Sequence, residues 1–97
     1  CVVRATTNAD VNHVVKKRLD VRKASFWPQD RAVEASGMEY GGITPVGMPG
    51  SWRLLIDSAC AVGWSCIGSG LRRSKLFVTG EVLAALPGAE IVEGLGI

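Results

Sequence analysis

Between residues 37 and 50 this 97-residue chain carries Gly37, Gly41, Gly42, Gly47 and Gly50, with Pro45 and Pro49 among them. Such a density of glycine and proline breaks both helices and central strands. The segment is therefore a long loop. A loop of that length inside a compact domain is usually functional or disordered. The apolar residues set into it (Met38, Tyr40, Ile43 and Val46) favour an ordered, functional one. The chain around it is short enough for one domain only.

Ahead of the loop, Cys1–Thr6 reads as a β-branched strand. Thr7 or Asn8 is placed to cap a helix, with Asp10 in its first turn. Val11, Val14, Val15 and Leu19 recur at helical spacing and define one buried face. Residues 21–26 read as a short strand. Pro28 suits the first position of a second helix, which Gly37 would end. Ala32, Val33 and Ala35 would form its apolar side. Behind the loop, Arg53–Asp57, Trp64–Ile67 and Ser74–Val78 are strand-like, with Gly68-Ser69-Gly70 as a sharp turn. Thr79 can cap a short helix carrying Val82, Leu83 and Leu86 and stopped by Pro87-Gly88. Glu90–Glu93 reads as a last strand. This order predicts an α+β domain with a largely antiparallel or mixed sheet.

Apolar residues make up 47% of the sequence, enough for a core. No apolar run approaches the ~20 residues that span a bilayer, so no membrane partner is expected. The chain opens on Cys1-Val2-Val3, without a basic lead or a methionine, and preceding sequence is expected to be missing. Three cysteines, Cys1, Cys60 and Cys66, with no CxxC spacing, favour reduced and mostly buried thiols in a cytoplasmic protein. The net charge of +2 is mild, but the cations cluster. Lys16, Lys17 and Arg18 stand together, then Arg22 and Lys23, then Arg72, Arg73 and Lys75.

Familiar catalytic machinery is missing. The lone His13 lies off the valine face and reads as a solvated residue, so no metal site is expected. No nucleophile elbow, Walker loop or dinucleotide fingerprint occurs. The acidic residues are scattered, and nothing pairs two of them. Two glycine turns remain. Gly41-Gly42-Ile43-Thr44-Pro45 either joins a helix to a strand or presents backbone amides to a carbonyl or phosphate oxygen. Gly68-Ser69-Gly70, followed by Arg72, Arg73 and Lys75, is either a hairpin with a solvated rim or a turn whose cations hold a phosphate backbone. Trp27, Trp52 and Trp64 read as packing residues, with base stacking as the other use.

The string Gly37-Met38-Glu39-Tyr40-Gly41-Gly42-Ile43-Thr44-Pro45-Val46-Gly47 resembles the T-G-x-x-x-G-G-[VI]-[ST]-P-x-G signature of the YbaK / prolyl-tRNA-synthetase-associated editing domains. Weaker likenesses flank it in order: Ala9–Leu19 resembles the family's first helix, Ala24-Ser25-Phe26 with Pro28 the entry to its second, Leu54–Asp57 the strand after the loop, and Gly68–Leu76 its G-G-x-R-G-L turn. The resemblance implies a curved mixed, largely antiparallel sheet or barrel with flanking helices. One editing domain would occupy residues 1–97, without its N-terminal strands.

It also implies hydrolysis of the ester on a mischarged tRNA, in trans, of the Cys-tRNA(Pro) or Ala-tRNA(Pro) type, with no cofactor and no metal. By the same resemblance Gly41, Gly42 and Thr44 would be catalytic, and Ile43, Pro45, Gly68, Ser69 and Gly70 would bind substrate. Arg72, Arg73 and Lys75 would contact tRNA. The implied partners are aminoacyl-tRNA, with room for an aminoacyl-tRNA synthetase and for a homo-oligomer. The family's functional lysine falls just upstream of Cys1, and Lys75 stands where many relatives carry an acidic residue. A second reading of the same resemblance is a catalytically inactive module that binds tRNA or an aminoacyl ligand.

Overall fold

The computed structural model describes residues 1–97. A π-helical turn, Val11–Val15, continues into α1, Lys16–Leu19. Then come α2 (Gln29–Ser36), β1 (Leu54–Asp57), a 3-10 turn (Ser58–Cys60), β2 (Trp64–Gly68), β3 (Lys75–Thr79), α3 (Gly80–Ala84) and β4 (Ala89–Val92). The architecture is α+β, as the order of elements predicts.

The sheet differs from expectation. The strands form two separate pairs and close no barrel. β2 and β3 are an antiparallel hairpin, with Cys66 opposite Phe77. β1 and β4 run parallel, with Ile56 opposite Ile91. Antiparallel pairing therefore does not dominate. The reason is the connection: the hairpin and α3 lie between β1 and β4, and a crossover of that kind returns the chain in the same direction.

The predicted strand at Cys1–Thr6 contracts to a single bridge, Val2 beside Ile56. There the Val2 N–H donates to Leu55 O and the Asp57 N–H to Val2 O. The extended run stops because the Thr7 N–H and hydroxyl both donate to Arg4 O, closing a turn. The cap of the first helix is Asp10, not Thr7 or Asn8: its carboxylate accepts from the His13 N–H. Asp20 ends α1 in the left-handed region at φ 54°, a conformation that Asp tolerates better than most residues. Residues 21–26 form no strand, since no other strand pairs with them. Pro28 precedes α2 instead of opening it, and its carbonyl accepts from the Arg31 and Ala32 N–H groups. Gly37 ends that helix at φ 70°, as predicted.

Two small cores lie on either side of β1, whose four residues are all buried. Val15, Leu55, Val92 and Leu95 form one, and Val3, Val11, Val14 and Leu19 pack on it, so the valine face of the first helix is the buried one. Ile56, Cys60 and Leu83 form the other. Thr79 caps α3 by accepting from the Val82 N–H, which leaves Val82 exposed and Leu83 fully buried. Of the three thiols only Cys60 is buried; Cys1 and Cys66 face solvent, contrary to the expectation of mostly buried thiols.

The C-terminal residues tie back to the start of the chain. The Asp10 N–H donates to Leu95 O and the Ile97 N–H to Asn8 O. The buried Asp57 carboxylate accepts from the Gly96 N–H at 2.9 Å and from the Ala59 N–H at 3.2 Å.

Candidate functional site

The two glycine turns, far apart in sequence, are pressed together backbone to backbone. The Gly70 N–H donates to Gly42 O at 2.7 Å, and the Glu39 N–H donates to Gly70 O at 2.9 Å. A Cβ on Gly42 would lie 2.6 Å from Leu71 C and 2.8 Å from Leu71 O. A Cβ on Gly68 would lie 2.7 Å from Ile43 O. Both positions need glycine because backbone occupies the space a side chain would take. This is a clamp, with Gly42-Ile43 as one jaw and Gly68–Leu71 as the other.

Glu39 holds the clamp through three contacts, and nothing in the sequence marks it for that task. Its N–H reaches Gly70, its carbonyl accepts from the Gly42 N–H, and its carboxylate accepts from the Arg72 N–H at 2.9 Å. Met38, which the sequence offers only as an apolar residue of the loop, also takes part in its bonding. Its sulfur accepts from the Thr44 N–H at 3.4 Å.

These bonds decide which predicted donors are already used within the protein. The Gly42 and Thr44 amides are consumed inside the loop. Thr44 is 3% exposed, and its hydroxyl accepts from the Val46 N–H. The Gly41 and Ile43 N–H groups donate to nothing else in the protein. Pro45 is half-buried in the same loop. The Ser69 hydroxyl is engaged within its own turn: it accepts from the Leu71 N–H at 3.3 Å and lies within donating distance of the Leu71 and Ser74 carbonyls.

The predicted cations sit at the outer edge of the clamp. The Arg72 guanidinium lies 5.5 Å from the centre of the Tyr40 ring, and its Cγ approaches Gly41. A guanidinium over an aromatic face is held by the ring quadrupole. Arg73 and Lys75 are exposed. Arg18 is committed elsewhere, since it and Arg53 both bind Glu90. Their hydrogen bonds, Arg53's foremost, hold the Glu90 carboxyl down at about 2. His13 is solvated as predicted, with its ring nitrogen 3.1 Å from the Asp10 carboxylate. Nowhere do three or more His, Cys, Asp or Glu side chains gather in a cluster that could hold a metal ion.

Beside the clamp lies an open, mostly apolar groove of about 880 Å³. Ile43 is the member of the glycine loop that lines it, and Cys1, Val15, Phe26, Trp27 and Trp52 line it too. Only Trp64 of the three tryptophans lies elsewhere, on the exposed face of the hairpin beside Phe77.

Residues 1–86 match the family described as aminoacyl-tRNA editing domain, and the chain belongs to that family. No functionally curated protein matches it in sequence at a significant level. It is similar in fold to a chain solved in work on "Epitope backbone grafting by computational design for improved presentation of linear epitopes on scaffold proteins". The two share 19% identity at a TM-score of 0.81, over 98% of this chain and 60% of that one. At that identity the likeness speaks for the fold alone. The chain thus spans 60% of the length of that solved chain.

Proposed function

We propose that this chain is the catalytic module of an aminoacyl-tRNA deacylase, acting in trans on mischarged tRNA of the Cys-tRNA(Pro) or Ala-tRNA(Pro) type. The observation that carries the reading is the glycine clamp, found in a chain of the editing family with the Gly41 and Ile43 amides free of internal hydrogen bonds. In this reading the aminoacyl ester lies against the loop. The Gly41 and Ile43 N–H groups stabilise the oxyanion that develops as water attacks the ester carbonyl. Fixed donors of this kind supply much of the catalysis in acyl transfer. The substrate's own terminal hydroxyl assists the water, so the mechanism requires no metal or cofactor. Thr44 acts by shaping the loop, as do Gly42, Gly68 and Ser69. Ile43 and Pro45 border the aminoacyl group, with Gly70 at the second wall. Arg72, Arg73 and Lys75 face the acceptor-stem phosphates. A cytoplasmic setting, contact with an aminoacyl-tRNA synthetase and self-association belong to the same proposal.

The test is deacylation of a panel of mischarged tRNAs by the wild-type chain and by Gly42→Val. Hydrolysis by the wild type, lost in the variant, is the expected result. No hydrolysis of any member of the panel overturns the enzymatic reading. It would leave the second reading, a binding module without turnover. Two observations favour that alternative: the Gly42 and Thr44 amides are already used, and Lys75 brings a cation to the start of β3. Salt-dependent binding of charged tRNA without turnover would identify it.

A further inference from the structure

Met38 has no part in the ester chemistry proposed above, yet its side chain reaches both jaws of the clamp. Its sulfur accepts from the Thr44 N–H at 3.4 Å, at the end of the first jaw. A Cβ on Gly70 would lie 3.8 Å from Met38 Cγ, so the same side chain runs along the second jaw. Its backbone is fixed at the end of α2. The Met38 N–H donates to the Ser36 hydroxyl at 3.2 Å, and that hydroxyl donates to Val33 O. A helix end therefore aims the sulfur.

What the sulfur holds is one side of Ile43. Two rigid peptide planes meet at the Ile43 Cα, and their orientations set where its side chain and N–H point. The plane before it is tied at Gly42 O, which accepts from the Gly70 N–H at 2.7 Å. The plane after it is tied at the Thr44 N–H by Met38. The carbonyl of that second plane, Ile43 O, lies so close to the Gly68 backbone that a Cβ on Gly68 would come within 2.7 Å of it.

Thr44 is buried, and a buried amide left without an acceptor costs free energy. A thioether is a weak acceptor on an unbranched, flexible stem. It satisfies this amide without bringing a charge into the clamp. Leucine would fill similar space and offer no acceptor. We infer that Met38 is a positioning residue of the candidate site: its sulfur latches the Ile43–Thr44 peptide, and so fixes the direction of the Ile43 side chain and N–H. The latch rests on these bonds. Its bearing on catalysis rests on the deacylase reading above.

The test compares wild type with Met38→Leu, which keeps the bulk and removes the acceptor, and with Met38→Gln, which restores an acceptor at similar reach. Met48→Leu makes the same exchange at a methionine lining a separate small cavity with Trp52 and Leu86. Two quantities are read: native-state exchange of the Thr44 amide by NMR, and kcat and KM on a mischarged tRNA that the wild type hydrolyses. In Met38→Leu the Thr44 amide should exchange about two- to tenfold faster, the worth of one hydrogen bond. Its kcat should fall about tenfold, less than the 10²–10³ of losing an oxyanion donor outright, with KM little changed. Met38→Gln should recover both quantities, and Met48→Leu should alter neither.

Wild-type Thr44 exchange in Met38→Leu, or exchange in Met38→Gln as fast as in Met38→Leu, overturns the latch. Should Met38→Leu fail to fold, Met38→Gln decides alone: Thr44 protected as in wild type supports the latch, and Thr44 unprotected overturns it. The two proposals fail separately. The predicted exchange pattern without hydrolysis of any mischarged tRNA by any of the proteins removes the enzyme and keeps the latch. Faster Thr44 exchange in a Met38→Leu protein that keeps the wild-type kcat overturns the positioning role and leaves the enzyme.

Discussion

Substituting Gly42 by alanine should damage the protein far more than one methyl group would suggest. Gly42 does not need a left-handed backbone, so the effect comes from space alone. The new Cβ would sit 2.6 Å from Leu71 C, well inside the 3.4 Å at which ordinary contact begins, and the atoms it meets are backbone. They cannot rotate away as a flexible side chain would. The jaws must separate, and the Gly70 N–H to Gly42 O bond is the first to go. Overpacking costs about 1–3 kcal/mol, and each broken hydrogen bond adds about 0.5–1.5 kcal/mol. The sum is roughly 2–4 kcal/mol, out of the ~5–15 kcal/mol that holds a domain together. For a chain of this size that corresponds to a fall in Tm of at least about 8 °C.

Gly47→Ala is the control. Gly47 has φ 79° and no neighbour within 4 Å of the new methyl group. Its cost is the left-handed conformation alone, about 1–2 kcal/mol. Thermal unfolding followed by tryptophan fluorescence should therefore rank wild type, then Gly47→Ala, then Gly42→Ala. Gly68→Ala should fall with Gly42→Ala, and the double variant should be less than additive, because both methyl groups part the same two backbones. A Gly42→Ala protein that melts no lower than Gly47→Ala would refute the clamp.

Further outcomes follow from other contacts. Asp57→Ala leaves the partly buried Ala59 and Gly96 amides without their acceptor and should cost about 2–4 kcal/mol in urea unfolding, whereas Asp57→Asn, which keeps one oxygen, should cost less. Glu90 ionises lower in the folded chain than in the unfolded one, so its contribution is complete above its ordinary value of 4.5 and is lost as pH falls towards about 2. Glu90→Gln should flatten the stability profile across that window and leave the profile above it parallel to wild type. Native-state alkylation should modify Cys1 and Cys66 quickly, while Cys60, buried and with its thiol pKa raised by that burial, should react only on unfolding.

Much of the fold is legible in the sequence where one local interaction decides the outcome. The valine spacing of the first helix, the Thr79 cap and the Gly37 stop are of this kind, and all three stand in the structure. Residues 1–6 and 21–26 have the composition of strands, but a strand needs a partner, and composition says nothing about who pairs with whom. The parallel β1–β4 pair was hidden for the same reason. The glycine motif announces a loop, yet its spacing cannot say that the loop meets a second turn. That contact depends on the β2–β3 register, which places Gly68 opposite Lys75 and brings the turn to Gly42. Glu39 is illegible because two of its three bonds use backbone atoms, which every residue has. The amides without an internal partner are those of Gly41 and Ile43, because the loop spends those of Gly42 and Thr44 on itself.

The C-terminal residues joined to Asn8, Asp10 and Asp57 have a consequence for how the molecule opens. Leu95 is fully buried in the core that also holds Val15 and Leu55, while its carbonyl and the Ile97 N–H bind the segment just before the first helix and the Gly96 N–H binds Asp57. Sequence-distant ends are thus one cooperative unit. In native-state hydrogen exchange the Asp10, Gly96 and Ile97 amides should share a single opening free energy and a single denaturant dependence. Fraying at the tail would then release the first helix and, with Val11, Val15 and Leu19, the floor of the groove beside the clamp.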